Sequence, residues 1–242
     1  MRTFGLIGFP LTHSFSVKYF AEKFSREGIA DCVYENFPME SIEELSTLLK
    51  HQELAGLNVT IPYKESVIEY LDELDPAADA IGAVNCIKFT NGKLTGYNTD
   101  VFGFRESLKR YLNGAKVKAL ILGTGGSSKA VSHALDDLAI PSQFVSRRKK
   151  AEWLTYHDLT ADIINGHKLI INTTPIGMFP LGEAKPELLY GSLTPSHYLY
   201  DLIYNPEETS FLHEGALHGS HIKNGLEMLH LQAEKNWEIW NG

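Results

Sequence analysis

The chain has 242 residues, a length that suits one large domain or two modest ones. It is 43% hydrophobic and 21% charged, an ordinary globular balance, and its net charge of −8 argues against a protein built to attract nucleic acid or anionic membranes. The sequence lacks a secretory signal pattern and any apolar run near the roughly 20 residues that span a bilayer, and its two cysteines lack metal or dithiol spacing, so it predicts a cytoplasmic protein.

The first half of the chain alternates between strand-like and helix-like patterns. Apolar stretches predict strands at 3–8, 32–37 and 54–61, and apolar residues at helical spacing predict helices at 16–24, 41–50 and 65–74. The helix at 41–50 opens on a capping box formed by Ser41 and Glu44. Asn91-Gly92 predicts a two-residue hairpin turn between two further strands, and a helix follows at 99–112.

A second alternating series begins after a break in the pattern at 113–116. The predicted strands are 117–122, 142–146, 168–171 and 197–203, and the predicted helices are about 127–139, 207–219 and 224–240. Strands separated by single helices favour parallel sheets with right-handed crossovers. The two series therefore predict an α/β protein of two domains, with ligand binding expected in the cleft between them.

A glycine-rich turn joins the predicted strand 117–122 to the helix that follows it. Gly123 and Gly125 match the first two glycines of the dinucleotide fingerprint, and Ser128 stands at the third position. Such a turn lets the backbone approach a pyrophosphate, which the free N–H groups at the start of the helix can bind. The flanking patterns favour a nucleotide site here over an ordinary strand-to-helix turn.

The predicted strand 142–146 ends in a basic run, where an acidic residue would hold a ribose 2′-hydroxyl. The run consists of Ser146, Arg147, Arg148, Lys149 and Lys150. Cations suit a 2′-phosphate, and the planar guanidinium of arginine can bind phosphate through two hydrogen bonds. The run therefore indicates NADP rather than NAD, and the alternative is a solvated basic turn.

A lysine stands at the exit of a strand in the first half of the chain. Lys64 and the preceding Thr60 lie near the carboxyl end of the predicted strand 54–61, which is the edge where open α/β sheets bind ligands. The alternative is a surface lysine that begins a helix. A cation is a poor choice for that position, because it opposes the helix dipole.

Four further polar residues lie near predicted element ends. Ser14 and Ser16 could cap a helix or bind a carboxylate at its N-terminus. Asn85 could be a turn residue, and Asp100 could simply stabilise the first turn of a helix. Taken together with the lysine, they supply hydroxyls, an amide, a cation and a carboxylate on one domain.

Eight motifs make the sequence similar to the shikimate dehydrogenase family. In chain order they are GFPLTHSFS, GLNVTIPYKE, IGAVNCI, GYNTD, LGTGGSSKA, INTTPIGM, DLIYNPEETSFL and NGLEMLHLQA. The resemblance runs nearly end to end and is far more specific than the glycine turn alone. It implies an N-terminal α/β substrate domain at 1–100, a Rossmann-like NADP-binding domain at 101–223, and a C-terminal helix at 224–242 that returns to the substrate domain.

The resemblance also implies roles for individual residues. Lys64 matches the catalytic lysine of the family, and Asp100 matches its partner. The implied substrate-binding residues are Ser14, Ser16, Thr60, Asn85, Asp100, Tyr204 and Gln232. The implied cofactor-binding residues, with the basic run included, are Gly123, Gly125, Gly126, Ser127, Ser128, Ser146, Arg147, Arg148, Lys150, Thr173, Thr174, Met178, Leu202 and Gly225, and no metal is implied.

The family implies an NADP-dependent oxidoreductase that reversibly reduces 3-dehydroshikimate to shikimate in aromatic amino-acid biosynthesis. In that reaction Lys64 would donate a proton to the developing alkoxide and would accept it in the reverse direction. Two alternatives stay open, a quinate/shikimate dehydrogenase of dual specificity and a nucleotide-bound sensor without catalysis. The expected partner is a small-molecule substrate rather than nucleic acid or membrane, and the protein is expected to be a monomer or a homodimer.

Overall fold

A computed structural model of the chain describes residues 1–11, 15–50, 54–150, 152–179 and 182–242. The backbone divides into two compact units, the first comprising Met1–Thr99 with Ala233–Gly242 and the second comprising Asp100–Gln232. Each unit contains one six-stranded sheet with helices in the connections. The predicted α/β class with two sheets is confirmed.

The first unit holds a mixed sheet. Its elements are β1 (Arg2–Gly8), α1 (Phe15–Glu27), β2 (Cys32–Pro38), α2 (Leu45–Leu48), β3 (Leu54–Val59), β4 (Glu73–Leu74), α3 (Pro76–Ile81), β5 (Cys86–Thr90) and β6 (Lys93–Tyr97). The strand order is β2-β1-β3-β5-β6-β4, in which β1 is parallel to both its neighbours and β5 is antiparallel to β3 and β6. The predicted hairpin accounts for the antiparallel pair of β5 and β6, and the antiparallel pairing of β5 with β3 departs from the parallel pattern expected of strands separated by helices.

Two local sequence signals of the first unit are confirmed. Ser41 and Glu44 form the predicted capping box, at the start of a 3₁₀ helix over Ile42–Glu44 that leads into α2. The Asn91-Gly92 turn joins β5 to β6, with φ of 52° at Asn91 and 78° at Gly92. Positive φ at both central residues is what a type I′ hairpin turn requires, and Asn and Gly adopt it most readily.

The predicted helix at 65–74 is wrong. The chain forms only a 3₁₀ helix over Ser66–Tyr70 and then the short strand β4, which pairs with β6. The N–H of Asp72 donates to the carbonyl of Leu94 (3.0 Å), and that of Asp75 donates to the carbonyl of Gly96 (2.8 Å). Hydrogen bonds to the hairpin thus replace the helical ones, and the helical spacing of the apolar residues could not reveal that partner.

The second unit holds an all-parallel sheet. Its elements are β7 (Ala119–Leu122), α5 (Gly126–Asp137), β8 (Ser142–Ser146), β9 (Leu154–Thr155), α6 (Ala161–Gly166), β10 (Leu169–Asn172), β11 (Tyr198–Asp201), α7 (Ser210–Leu217) and β12 (His221–Lys223). The strand order is β12-β11-β10-β7-β8-β9. This is the Rossmann order, with the chain reversing its direction of growth between β7 and β10.

Two long helices contain the points at which the chain passes between the units. They are α4 (Thr99–Leu112) and α8 (Leu226–Asn241), and both were predicted from their helical spacing. The last turns of α8 belong to the first unit, where Trp240 is buried against Phe4 and donates its indole N–H to the carbonyl of Ile87 (3.0 Å). None of the helices in the described ranges is long and apolar enough to cross a membrane.

Each unit has its own apolar core. In the first unit, strand residues such as Ile7, Leu57 and Ile87 are fully buried. In the second unit, the β7 and β10 residues Leu120 and Ile170 pack with Phe211 of α7. The central strands β7 and β10 are buried along their whole length, and polar residues such as Asn172 stand at the carboxyl edge of that sheet.

Candidate functional site

Lys64 and the start of α4 are anchored on two adjacent residues of the first unit. The N–H of Val84 donates to the carbonyl of Lys64 (2.7 Å). The side chain of the next residue, Asn85, accepts from the N–H of Thr99 (2.7 Å) and donates to its hydroxyl (3.0 Å). Asp100 follows Thr99 in the chain and is 7% exposed. The two segments that carry the predicted catalytic residues are therefore fixed at neighbouring points of the backbone.

The other predicted residues of the first unit lie near strand ends or the start of α1. Thr60 directly follows β3, and its N–H donates to the carbonyl of Ile7 in β1 (2.9 Å). Ser16 is the second residue of α1. Tyr34 of β2 donates its hydroxyl to the Oδ1 of Asn58 (2.7 Å), and burial strongly raises the pKa of that hydroxyl. Ser14 lies outside the described residues.

The glycine turn of the second unit lies at the point where the strand order reverses. Gly123 follows β7 with φ of +111°, and a Cβ there would come within 2.7 Å of the Thr173 hydroxyl. That hydroxyl donates to the carbonyl of Leu122 (2.6 Å), which holds the exits of β7 and β10 together. The close approach and the positive φ both require glycine at this position.

The start of α5 leaves room for a ligand. Gly125 precedes the helix in an extended conformation, and a Cβ added to it would meet no described atom within 4 Å. Gly126 and Ser127 follow as its first two residues, with backbone N–H groups that have no partner within a helix. Ser128 is fully buried and donates to the carbonyl of Gly125 (2.6 Å), which makes it a structural residue of the turn.

The basic run follows β8 on an exposed segment. Ser146 ends the strand and accepts from the N–H of Arg148 (3.2 Å), and Arg147 and Arg148 are both exposed. Lys149 pairs with Asp158 (2.8 Å), and the ammonium of Lys150 lies 4.4 Å from the ring centre of Trp153. Lys149 and Lys150 thus each have a partner among the described residues.

Two buried polar residues at this edge were not among the predicted site residues. Asn172 ends β10 and Asp201 ends β11; both are fully buried, and the Nδ2 of Asn172 donates to the Oδ1 of Asp201 (3.0 Å). Burial raises the pKa of Asp201 to about 6. Each is a polar residue at the carboxyl end of an apolar strand. The same kind of signal, a polar residue near the exit of a strand, led to the prediction of Lys64.

The comparisons with known proteins agree along the whole chain. A family model described as the shikimate dehydrogenase substrate binding domain matches residues 6–87. The shikimate dehydrogenase (NADP(+)) of Desulforamulus reducens is 37% identical over 260 residues, which cover 98% of this chain and 89% of that protein. The chain belongs to the shikimate dehydrogenase family. The family resemblance predicted from the eight motifs is thereby confirmed.

Solved structures of the shikimate dehydrogenase family share the fold of both units. Shikimate 5-dehydrogenase from Thermus thermophilus, in complex with NADP(H) and shikimate, is 30% identical with a TM-score of 0.88, covering 100% of this chain and 94% of that one. The ligand-free 5-ketofructose reductase of a Gluconobacter strain is also 30% identical, with a TM-score of 0.83 over 99% of this chain and 92% of that one. A reductase named for 5-ketofructose, and not for shikimate, therefore shares the fold.

The remaining family positions lie after β10, after β11 and on α8. Leu202 and Tyr204 follow β11, and burial raises the pKa of Tyr204. Gly225 directly precedes α8, where a Cβ would collide with the carbonyl oxygen of Leu202. Gln232, on α8, donates to the carbonyl of Leu229 (3.0 Å), and Met178, beyond β10, is 42% exposed.

Proposed function

We propose that the protein catalyses the reversible, NADP-dependent reduction of 3-dehydroshikimate to shikimate, a step of aromatic amino-acid biosynthesis. The observation that carries this proposal is 37% identity to a shikimate dehydrogenase over 98% of the chain, which includes both units. The Rossmann strand order and the glycine turn support a dinucleotide as the second ligand.

Lys64 is the proposed acid and base. Reduction of a ketone creates an alkoxide that must gain a proton, and an ammonium group within about 3 Å of that oxygen can donate it. In the reverse direction the neutral amine accepts the proton from the alcohol. We assign Asp100 as its partner, since a nearby carboxylate favours the ammonium form while burial opposes it. The anchoring of both segments on Val84 and Asn85 supports this pairing.

The substrate carries one carboxylate and several hydroxyls, and the proposed ligands match those groups. Ser14 and Ser16 are assigned to the carboxylate, since hydroxyls at a helix start suit an anion. The ring hydroxyls, with further contacts to the carboxylate, are assigned to the remaining substrate residues, which are Thr60, Asn85, Asp100, Tyr204 and Gln232. The proposed domains at 1–100, 101–223 and 224–242 divide these residues between a substrate domain and a cofactor domain.

The residues at the start of α5 fit a bound NADP. Gly123 would make the tight turn, and Gly125, where a Cβ would meet no described atom within 4 Å, would admit the close backbone approach. Gly126 and Ser127 would hold the pyrophosphate at the helix start. When bound, the cofactor supplies or accepts the hydride. Arg147 is assigned to the 2′-phosphate, with Ser146, Arg148 and Lys150 beside it. Thr173, Thr174, Met178, Leu202 and Gly225 are assigned to the nicotinamide side.

We propose a cytoplasmic enzyme that is a monomer or a homodimer and acts on a small molecule. Cys32 and Cys86 are buried free thiols, as expected of a reducing compartment. Light scattering after gel filtration measures the oligomeric state directly. A larger assembly would contradict this part of the proposal.

The test of function follows the ultraviolet absorbance of NADPH with purified protein. The expected result is rapid reduction of NADP⁺ by shikimate, with slower reduction of NAD⁺. Quinate is tested in parallel, because similar rates with both acids would establish dual specificity instead. 5-Ketofructose with NADPH is a further arm, because the Gluconobacter reductase shares the fold. Absence of turnover with every pair would favour the sensor without catalysis.

A further inference from the structure

Asp201 joins three parts of the second unit through one buried carboxylate. Its Oδ1 accepts from the Nδ2 of Asn172 (3.0 Å) and from the N–H of Ile203 (3.0 Å). Its Oδ2 accepts from the hydroxyl of Thr209 (2.6 Å), the residue that caps α7. The end of β10, the exit of β11 and the start of α7 are therefore tied to the same side chain.

Asn172 continues this chain of hydrogen bonds toward the loop after β10. Its Oδ1 accepts from the N–H of Thr174 (3.1 Å) and from the Thr174 hydroxyl (2.6 Å), and its Nδ2 also donates to the carbonyl of Ile176 (3.2 Å). The backbone carbonyl of Asn172 accepts from the N–H of Leu202 (3.0 Å). The loops after β10 and β11 are thus connected through Asn172 and Asp201.

The carboxylate favours the direction that these hydrogen bonds take. An ionised Asp201 can only accept, so the amide of Asn172 must turn its Nδ2 toward Asp201 and its Oδ1 toward Thr174. The hydroxyl of Thr174 then has to donate to Asn172. The N–H of Thr174 and the carbonyl of Ile176 require the same orientation of the amide, so Asp201 reinforces the direction of this hydroxyl from two hydrogen bonds away.

Folding alone does not account for a carboxylate here. The three donors described for Asp201 are all uncharged, and burial of an acid without a cationic partner is unfavourable. Burial accordingly raises the pKa of Asp201 to about 6. Groups with such shifts are concentrated at functional sites, and this one lies at the carboxyl edge of the sheet, one strand from the switch point.

We propose that Asp201 is a positioning residue for the cofactor, which acts through Asn172 to hold the loops at 173–176 and 202–204 in the arrangement that binds the nicotinamide end. This role rests on the proposed function, which assigns Thr174 and Leu202 to that end. Asp201 itself does not need to contact the cofactor. The proposal concerns the hydrogen bond between the Nδ2 of Asn172 and the Oδ1 of Asp201, which is called the link below.

Serine substitutions isolate that link from both sides. Asp201→Ser keeps an acceptor that can reach the N–H of Ile203, and Asn172→Ser keeps one that can reach the N–H of Thr174. Either serine is too short to span the distance between the two strands. Asp201→Asn is the conservative variant, because its amide oxygen still accepts from Asn172 and Ile203 while its Nδ2 faces the Thr209 hydroxyl.

The control is His197→Asn, at the other end of β11. His197 directly precedes the strand, is fully buried, and has hydrogen bonds with Ile164 (3.1 Å) and Thr194 (3.0 Å). Its replacement removes a comparable number of buried hydrogen bonds far along the strand from the cofactor edge. It therefore measures what a loss of stability alone does to cofactor binding.

The experiment measures the Kd of NADPH by fluorescence, together with the KM values for NADP⁺ and shikimate. Either serine variant should raise the Kd of NADPH about tenfold, the loss expected from one buried hydrogen-bonded contact. The KM for shikimate should change much less. The double serine variant should bind NADPH no more weakly than the weaker-binding single variant, because both changes remove the same hydrogen bond between residues 172 and 201. Asp201→Asn should restore most of the affinity, and His197→Asn should leave it unchanged.

Several results would overturn the proposal. Wild-type affinity in a folded serine variant would remove the link from cofactor binding, and an equal loss in His197→Asn would reduce it to general stability. Additive losses in the double variant would show that the two residues act separately. If one serine variant fails to fold, the other still tests the link. If the wild-type protein binds no NADPH, the proposed function fails. If the wild type and the serine variants all bind NADPH tightly, only the positioning role of Asp201 fails.

Discussion

Asp201 should give the protein a pH-dependent term in its stability that Asp201→Asn removes. Burial raises the pKa of this carboxyl from its ordinary 3.8 to about 6, and the hydrogen bonds from Thr209, Ile203 and Asn172 oppose that rise only in part. The nearby titratable hydroxyl of Tyr190 stays neutral, because burial raises its pKa far above this range. The folded state therefore holds the Asp201 proton more tightly than the unfolded state does.

The sign and size follow from this difference in pKa. The stabilisation is fully present below pH 3.8 and is lost as the pH rises through 6. A shift of about two units, at about 1.4 kcal/mol per unit, makes the whole effect about 3 kcal/mol. About 2 kcal/mol of it should be lost between about pH 4.5 and 7.5, since the unfolded state is already ionised in that range.

The assay is urea unfolding of the wild type and Asp201→Asn at several pH values. The free energy of unfolding of the variant minus that of the wild type should increase by about 2 kcal/mol from pH 4.5 to 7.5. Taking this difference removes the contributions of other groups, including His197, whose pKa burial lowers. A difference that stays constant with pH would refute the reasoning, because it would mean that Asp201 has the same pKa in both states.

Four further substitutions test the site and the packing beneath it. Lys64→Ala should lower kcat by about 10²–10⁴-fold with little change in KM; a turnover within a few-fold of wild type would remove Lys64 from acid/base catalysis. Arg147→Ala should raise the KM for NADPH far more than that for NADH, and equal effects would mean that it does not bind the 2′-phosphate. Gly103→Ala places a Cβ about 2.6 Å from the carbonyl of Met228, so urea unfolding should show a loss of about 1–2 kcal/mol despite better helix propensity. Trp240→Phe removes the indole hydrogen bond to β5 and should cost about 1–3 kcal/mol, whereas an unchanged unfolding midpoint would exclude that contribution.

The second unit was largely predictable from sequence, because its central strands are short apolar runs and two of them are followed by a recognisable segment, the glycine turn or the basic run. The run before Gly123 and the helix after it could only be joined by a tight turn, and the strand of the basic run was predicted with its observed bounds, Ser142–Ser146. The short strands β9 and β12 were missed. Two or three residues do not form a readable period, so only pairing with a neighbour makes them strands.

The first unit was harder to predict, because distant pairing decides its structure. The segment 65–74 has the apolar spacing of a helix, yet Asp72 and Asp75 bond to the hairpin that follows twenty residues later. The first strand of that hairpin, β5, also pairs antiparallel with β3, which departs from the parallel pattern expected of strands separated by helices. The local turn signal of Asn91-Gly92 was readable, whereas its consequence for the rest of the sheet was not.

The residues at the carboxyl edge of the second sheet fall into two physical kinds, those that the sequence predicted and those that it did not. Gly123 and Ser128 satisfy requirements of the turn itself, and these can be read from a motif. Asn172 and Asp201 act on each other across two strands, and a single sequence does not show which strand ends are neighbours. Once the strand order is known, both residues follow from the rule that ligands bind at the carboxyl edge of such a sheet.

Asn85 shows why a loss of activity cannot be assigned to one contact. Its side chain is assigned to the substrate, yet it also satisfies the N–H and the hydroxyl of Thr99, the residue before Asp100. Thr99 in turn donates to Asn236 of α8 (2.6 Å), so the start of one helix and the end of another depend on this amide. Replacing Asn85 by alanine would leave buried groups unpaired at about 1–3 kcal/mol and would release the segment that carries Asp100. Any kinetic effect of Asn85 therefore combines lost substrate contact with misplacement of Asp100, and only a variant that keeps the bonds to Thr99 can separate the two.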